Sequence, residues 1–259
     1  MFTLSPLFSG LLVVLGAMVL LWLLSLTKRD VSIIDVFWGL GFVGLTWLYR
    51  GLGPETQGRH LLLLILVTAW GVRLALYILW RNWGHGEDRR YQAMREHHGQ
   101  RFWWASFFTI FLLQGFLIWL IAAPLFVVQM STTPPLWTWT DTIGLLFWGI
   151  GFFFESVGDW QLARFQADAA NQGRVMRSGL WAYTRHPNYF GDALVWWGSF
   201  FFALSVPGGI WTIFSPLLMT FLLLKVSGVA LLEQTITERR PEYREYIENT
   251  NAFVPWFPR

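Results

Sequence analysis

The chain has 259 residues, of which 54% are hydrophobic and only 14% charged, with a mean hydropathy of +0.43 and a net charge of +3. Against about 25% charged residues in a typical soluble protein, this excludes a soluble globular domain, a disordered segment and a nucleic-acid-binding module. The absence of cysteine excludes disulfides, thiolate metal sites and cysteine nucleophiles.

What remains is an all-α polytopic membrane protein, a single integral-membrane domain over 1–259. Hydrocarbon about 30 Å thick takes roughly 20 apolar residues per helix. Seven segments meet that length: 6–26, 33–50, 61–80, 103–129, 141–163, 189–206 and 209–232. The first has no Arg-rich start and no small-residue cleavage site, so it reads as a retained helix and not a signal peptide. The last two are joined by Val206-Pro207-Gly208-Gly209, a tight hairpin turn.

The basic residues give the orientation. Lys28 and Arg29, then Arg81, Arg89, Arg90, Arg95 and Arg101, then Arg164, Arg174, Arg177 and Arg185, then Arg239, Arg240, Arg244 and Arg259 fall on alternate connections. These are fifteen of the nineteen Lys and Arg residues. Cytoplasmic loops collect such residues, which places the N-terminus outside and the C-terminus in the cytoplasm.

In chain order, the ionisable groups inside the spans are candidates for function, because a charge at membrane depth needs a partner or a wet cavity. Asp35 lies just inside the second span, on one face with Trp38 and Phe42. Arg73 lies deep in the third, with Trp70 and Tyr77. Asp35 and Arg73 are expected either to pair as a structural ion pair or to line a substrate cavity. Glu155 and Asp159 follow one helical turn apart in the fifth span, Asp192 opens the sixth, and Lys225 in the seventh is expected to snorkel to the cytoplasmic side.

The densest polar stretch is 171–192. Pro187 disfavours helix at His186 and suits a helix start, so Pro187 or Asn188 opens the sixth span. That leaves free N–H groups and a positive dipole end at the interface. Arg174, Arg177 and Arg185 are expected to converge there as a phosphate-binding site.

Gly179-Leu180-Trp181-Ala182-Tyr183-Thr184-Arg185-His186-Pro187-Asn188-Tyr189-Phe190-Gly191-Asp192 resembles the C-terminal signature of the steroid 5-alpha-reductase and sterol reductase superfamily. Asp159-Trp160-Gln161, Phe165, Asn171 and the ending Glu233, Tyr243, Tyr246, Pro255-Trp256 resemble a bacterial branch of it, the DUF1295 family. The likeness covers most of the chain and is specific over about 155–195. It implies a bacterial inner-membrane reductase that takes NADPH in a cytoplasm-facing cavity and reduces a carbon–carbon double bond of a lipidic substrate. The region 155–259 would be the cofactor-binding half. Carried over by position, Asp159, Arg164, Asn171, Arg174, Arg177, Tyr183, Arg185, His186, Asn188 and Tyr189 would hold the dinucleotide. Asp35, Arg73, Tyr183 and Asp192 would serve the chemistry. The chain departs from the 5-alpha-reductases in having Trp70 where a catalytic Tyr is expected, and indole is a poor proton source. The donor is then Tyr77, Tyr183, Tyr189, Asp35 or Asp192, or the substrate is not a 3-oxo steroid.

Other patterns carry less. Gly39-Leu40-Gly41-Phe42-Val43-Gly44 matches GxGxxG but lies in an apolar span with no preceding strand, so it reads as close helix packing. His85, His97 and His98 lack a helical i, i+4 pair, and no metal site is assigned. The Trp-rich runs 102–104, 137–139 and 196–197 read as interfacial anchors. The rival reading is an S-adenosylmethionine-dependent methyltransferase, because isoprenylcysteine carboxyl methyltransferases resemble this chain in an Arg-His-Pro-x-Tyr-x-Gly turn. Their tail carries paired Glu residues and an Arg, where this one has Glu233 and Gln234 alone. A transporter would show likeness between its halves, and these show none.

Overall fold

The computed structural model describes residues 5–55, 57–133, 136–226, 229, 233, 236 and 242–258. Among them there are helices and no strands. Arg239, Arg240 and Arg259, counted among the cytoplasmic cations, and Gln234 lie outside the described residues. Among the described residues, four helical stretches are long and apolar enough to cross a membrane: Pro6–Lys28, Arg59–Asn82, Arg89–Ile121 and Gly209–Val226. Their outward faces are apolar, with Leu20 68% and Leu76 60% exposed. Such faces suit hydrocarbon, not water. The helices divide into two compact units, one of residues 1–137 with 206–209, the other of 138–205 with 210–259. No linker in the sequence marks this division.

In the first unit α1 (Pro6–Lys28) starts where the Ser5 hydroxyl accepts from the Phe8 amide and ends on Arg29 in the left-handed region. α2 (Ile33–Leu52) and α3 (Arg59–Asn82) follow. A Cβ on Gly39 would lie 2.7 Å from the Gly71 carbonyl oxygen, so α2 and α3 cross backbone to backbone. The expected close packing at the GxGxxG run is therefore present, at its first glycine.

The stretch read as a loop before the fourth span contains a helix, α4 (Arg89–His98), capped by Asp88, whose carboxylate accepts from the Arg90 amide. Helical backbone continues through α5 (Phe102–Ser106), a π turn at Phe107–Leu112 and α6 (Leu113–Ile121). It then breaks at Ala122 before α7 (Ala123–Gln129). Pro124 explains the break, since it lacks an N–H and its ring crowds the preceding turn.

The second unit is built on α8 (Trp139–Ala167) and α9 (Pro187–Ala203). α8 opens with a capping box: Thr138 accepts from the Asp141 amide while Asp141 accepts from the Thr138 amide. Gly144, Gly151 and Gly158 recur every seventh residue on α8, and Gly191 and Gly198 do so on α9. A Cβ on Gly151 would sit 2.6 Å from the Gly191 oxygen, and one on Gly144 2.9 Å from the Gly198 oxygen. At Gly158 the neighbours are the Asn188 amide and Pro187, both at 3.2 Å. This glycine seam lets the two backbones touch and carries the start of α9 against the end of α8. The chain then runs through a 3-10 turn (Gly209–Ile213), α10 (Phe214–Phe221) and a π turn (Leu222–Val226) holding the exposed Lys225. A short α11 (Tyr243–Asn249) and a tail to Pro258 complete the unit.

Candidate functional site

The site in the second unit begins where α8 outlasts its apolar stretch. Its last turns carry Asp159, Trp160, Gln161 and Arg164. The chain then passes a 3-10 turn at Ala169–Asn171 and a second at Gly179–Ala182 before α9 opens at Pro187. His186 stays outside the helix, at φ −139° and ψ 63°, as the proline dictates.

A cavity of about 550 Å³ lies against the end of α8, lined among others by Trp160, Gln161, Arg164, Asp168, Asn171 and Ser178. Arg164 lies over the Trp160 indole, 5.6 Å from the ring centre. The Asn171 amide donates to the Phe165 carbonyl at 3.1 Å, and the Asp168 carboxylate accepts from the Ala170 amide at 2.9 Å. The wall is tied to the turn after it, because the Gln161 carbonyl oxygen accepts from the Leu180 amide and the Trp181 indole donates to the Gly158 carbonyl.

Beside it runs a buried polar string. Asn188 donates to Asp159 at 3.1 Å and turns its own carbonyl oxygen to the Tyr189 amide. The Tyr189 ring stacks parallel on His186, with centres 5.5 Å apart. His186 Nε2 lies 3.0 Å from Glu233 Oε1. Glu233 also receives Arg185, through Nε at 2.7 Å and Nη2 at 3.0 Å. Burial would raise the Glu233 carboxyl, but the hydrogen bonds from His186 and Arg185 and their charge hold it down at about 2. Burial pushes the Tyr243 and Tyr246 hydroxyls the other way, well above the ordinary phenol.

The arginines do not converge as the sequence suggested. The remaining donor of Arg185, Nη1, reaches the Ile247 and Thr250 carbonyls at the end of α11. Arg177 turns to Glu245 and the Glu242 carbonyl, and Arg174 is exposed. The physical reason is the tail, which packs on the turn and meets it with acids and carbonyl oxygens. Further bonds run from the Arg185 amide to the Asn251 carbonyl, from the Trp256 amide to the Tyr183 carbonyl, and from the Tyr246 hydroxyl to the Trp181 carbonyl. The Tyr183 ring is exposed beside Phe257. Asp192 is half-buried on α9.

The other expected catalytic residues belong to the first unit. The guanidinium that meets Asp35 among the described contacts is Arg90's, at 2.8 Å, where the sequence suggested Arg73; the Tyr91 hydroxyl donates to Asp35 at 2.6 Å. Arg73 lies over the Tyr77 ring of its own helix, 5.8 Å from the centre. Nearby, Glu87 accepts from the Val31 amide and from both arms of Arg95. Burial opposes ionisation of Glu87, yet these donors hold it below the usual carboxylate range. His85 and His98 each face a backbone carbonyl, and no metal-holding group occurs among the described residues.

Glu233, Trp160, Gln161 and Asp168 belong to this site although the sequence did not single them out as site residues. A lone acid after an apolar span, opposite an Arg-His pair, was the available signal for Glu233.

The family model for DUF1295, described as a protein of unknown function, matches residues 21–250. The chain belongs to the DUF1295 family. It is also similar to "Uncharacterized protein C594.04c" of Schizosaccharomyces pombe, at 26% identity, across 97% of this chain and 80% of the fission-yeast protein. No solved structure matches.

Proposed function

We infer that this DUF1295 protein is a membrane reductase that takes NADPH and saturates a carbon–carbon double bond of a lipidic substrate. The observation that carries the reading is the donor set around the cavity at the end of α8: an indole face, a guanidinium, a carboxylate and two carboxamides. An indole face suits the adenine base, the guanidinium a phosphate, and the carboxylate and amides the ribose hydroxyls. These residues fit the group. When bound, NADPH supplies the hydride. Arg164 would hold a phosphate, Asp168 and Asn171 a ribose, and Trp160 a base. Asn188 and Asp159, fixed on each other, order the start of α9.

The same reading has seven crossings, the three beyond the four apolar stretches above being α2, α8 and α9, with the N-terminus outside and the turn at 171–192 in the cytoplasm. It sets the protein in a bacterial inner membrane, where the basic connections face inward. The substrate enters from the surrounding lipid, so membrane lipids are its neighbours and nucleic acid is not a partner. Asp35, Arg73, Tyr183 and Asp192 stay candidates for substrate contact.

A methyltransferase is the second reading, favoured by Glu233, because the tail carboxylate meets Arg185 and His186 where that family resembles this chain. Thermal-shift titration of the purified protein with NADPH, NADH and S-adenosylmethionine decides. A ligand at one hundred times its Kd adds about 2.7 kcal/mol. Stabilisation by NADPH is the expected result, and stabilisation by the methyl donor alone overturns it.

A further inference from the structure

His186 and Glu233 form a buried acid–base pair that the cavity reading leaves without a task. Side-chain exposure is 5% for His186 and 19% for Glu233. The carboxylate is fixed on its other flank by the fork of Arg185, and that guanidinium is in turn locked to the end of α11. Glu233 therefore has no freedom to swing away from the imidazole. Tyr189, stacked on the ring at an interplanar angle of 10°, prevents the imidazole from turning. Nε2 faces the carboxylate, while Nδ1 takes no hydrogen bond among the described residues.

A carboxylate that only accepts fixes the proton of its partner on the near nitrogen, which leaves the far nitrogen as the exchangeable position. Glu233 stays ionised through the physiological range, so it holds the pair's charge and does not compete for the proton. Among the described residues, the charged and titratable groups about the ring are Glu233 from the tail side, flanked by Arg185 of the turn and by Tyr243, then Tyr189 on α9, and Asp159 on α8 by way of Asn188.

Resting on the reading of this turn as part of the reaction site, we propose that His186 is its proton-exchanging group, acting at Nδ1, with Glu233 as the positioning residue that fixes Nε2–H. In the step, the Nδ1–H bond breaks as a substrate atom takes the proton. The electron pair stays on Nδ1, and the imidazole is left neutral with Nε2–H still donated to Glu233. A proton taken from the bulk solvent returns to Nδ1, so each cycle consumes one solvent proton.

The test is spectroscopic and needs no turnover. Protein labelled with 15N and 13C histidine, in lipid nanodiscs, is titrated by NMR, and His186→Asn assigns the His186 signals among those of the five histidines. The expected neutral form carries its proton on Nε2. Glu233→Gln, whose carboxamide can donate as well as accept, is expected to bring an Nδ1-protonated neutral form up beside the Nε2-protonated one, and Glu233→Asp to keep the Nε2 form. A wild-type neutral form protonated on Nδ1, or a tautomer ratio unmoved in Glu233→Gln, overturns the proposal. The wild-type tautomer decides even where a variant does not fold. Adding NADPH separates the two claims: binding that leaves the His186 signals unchanged removes the dyad from the site while the reductase reading stands. Absent NADPH binding sinks that reading whatever the tautomer is.

Discussion

Arg185 holds Glu233 with two arms of its guanidinium, Nε at 2.7 Å and Nη2 at 3.0 Å, and with the third caps α11 at the Ile247 and Thr250 carbonyls. Side-chain exposure is 8% for Arg185 and 19% for Glu233. An ion pair so placed is costly to break, because removing one partner leaves the other buried and uncompensated. The most basic-looking residue of the turn is thus a fastener between turn and tail. In the proposed reading, phosphate binding falls instead to Arg164 on the cavity wall.

Glu233 makes stability depend on pH in the acid range. Its folded value of about 2 lies below the ordinary 4.5, so its contribution is complete above pH 4.5 and is lost as pH falls toward 2. The difference corresponds to about 3 kcal/mol. Thermal unfolding in detergent between pH 7 and pH 3 is expected to show Glu233→Gln well below wild type at neutral pH and the gap closing below pH 4. A gap that is the same at both ends would assign the loss to packing instead.

The glycine seam gives a paired prediction. Gly151→Ala puts a methyl 2.6 Å from the Gly191 carbonyl oxygen, with the Val195 amide at 2.8 Å, both rigid backbone. Overpacking of this kind costs about 1–3 kcal/mol, and separation of α8 from α9 also displaces Asn188 from Asp159. Gly149→Ala, on the same helix with nothing within 4 Å, is expected to be neutral or slightly stabilising. Melting temperatures of the two variants check this, and equal values would show that the seam yields.

The helix positions were legible because apolar runs of membrane length and a proline are local signals. Pro187 opens α9, and the residue before it lies outside the helix, as the steric rule for X-Pro requires. α4 was not legible: Arg89 to His98 is polar on nearly every side, so its helicity depends on the Asp88 cap and on Glu87 reaching back to Val31. The destination of Arg177 and Arg185 was hidden for a different reason. Their partners Glu245 and Glu233 lie 68 and 48 residues onward, and no periodicity links positions that far apart. The seven-residue glycine spacing was open to view. Its meaning depended on α8 and α9 being neighbours, which only the fold supplies.

In the first unit, Glu87 is the clamp on the turn between α1 and α2. It accepts the Val31 amide at 2.9 Å and a two-armed Arg95, while Ser32 accepts from the Asp88 amide at 2.7 Å. Glu87→Ala removes the acceptor and leaves the amide of a buried residue, Val31, unmatched, at a cost of about 1–3 kcal/mol. Hydrogen exchange of the peptide spanning residues 29–34 is expected to speed up on the order of tenfold or more, with exchange in α8 and α9 unchanged. An unchanged rate would mean that other contacts hold the turn.

Arg164 and Arg185 separate binding from architecture. Arg164 is exposed on the cavity wall, and its guanidinium meets the Trp160 ring, so Arg164→Ala should leave the melting temperature within a degree or two. A charged hydrogen bond to phosphate is worth about 1.5–3 kcal/mol, so the same change should weaken NADPH binding about 10- to 100-fold. Arg185→Ala should do the reverse: a lower melting temperature by the loss of a buried pair, with NADPH affinity measured below that melting point changed far less. Isothermal titration with NADPH on both variants, alongside their melting curves, reads the two effects apart. If Arg185→Ala abolished binding in folded protein while Arg164→Ala left it intact, the phosphate would have to lie on the turn itself, and the tail would have to release Arg185 to reach it.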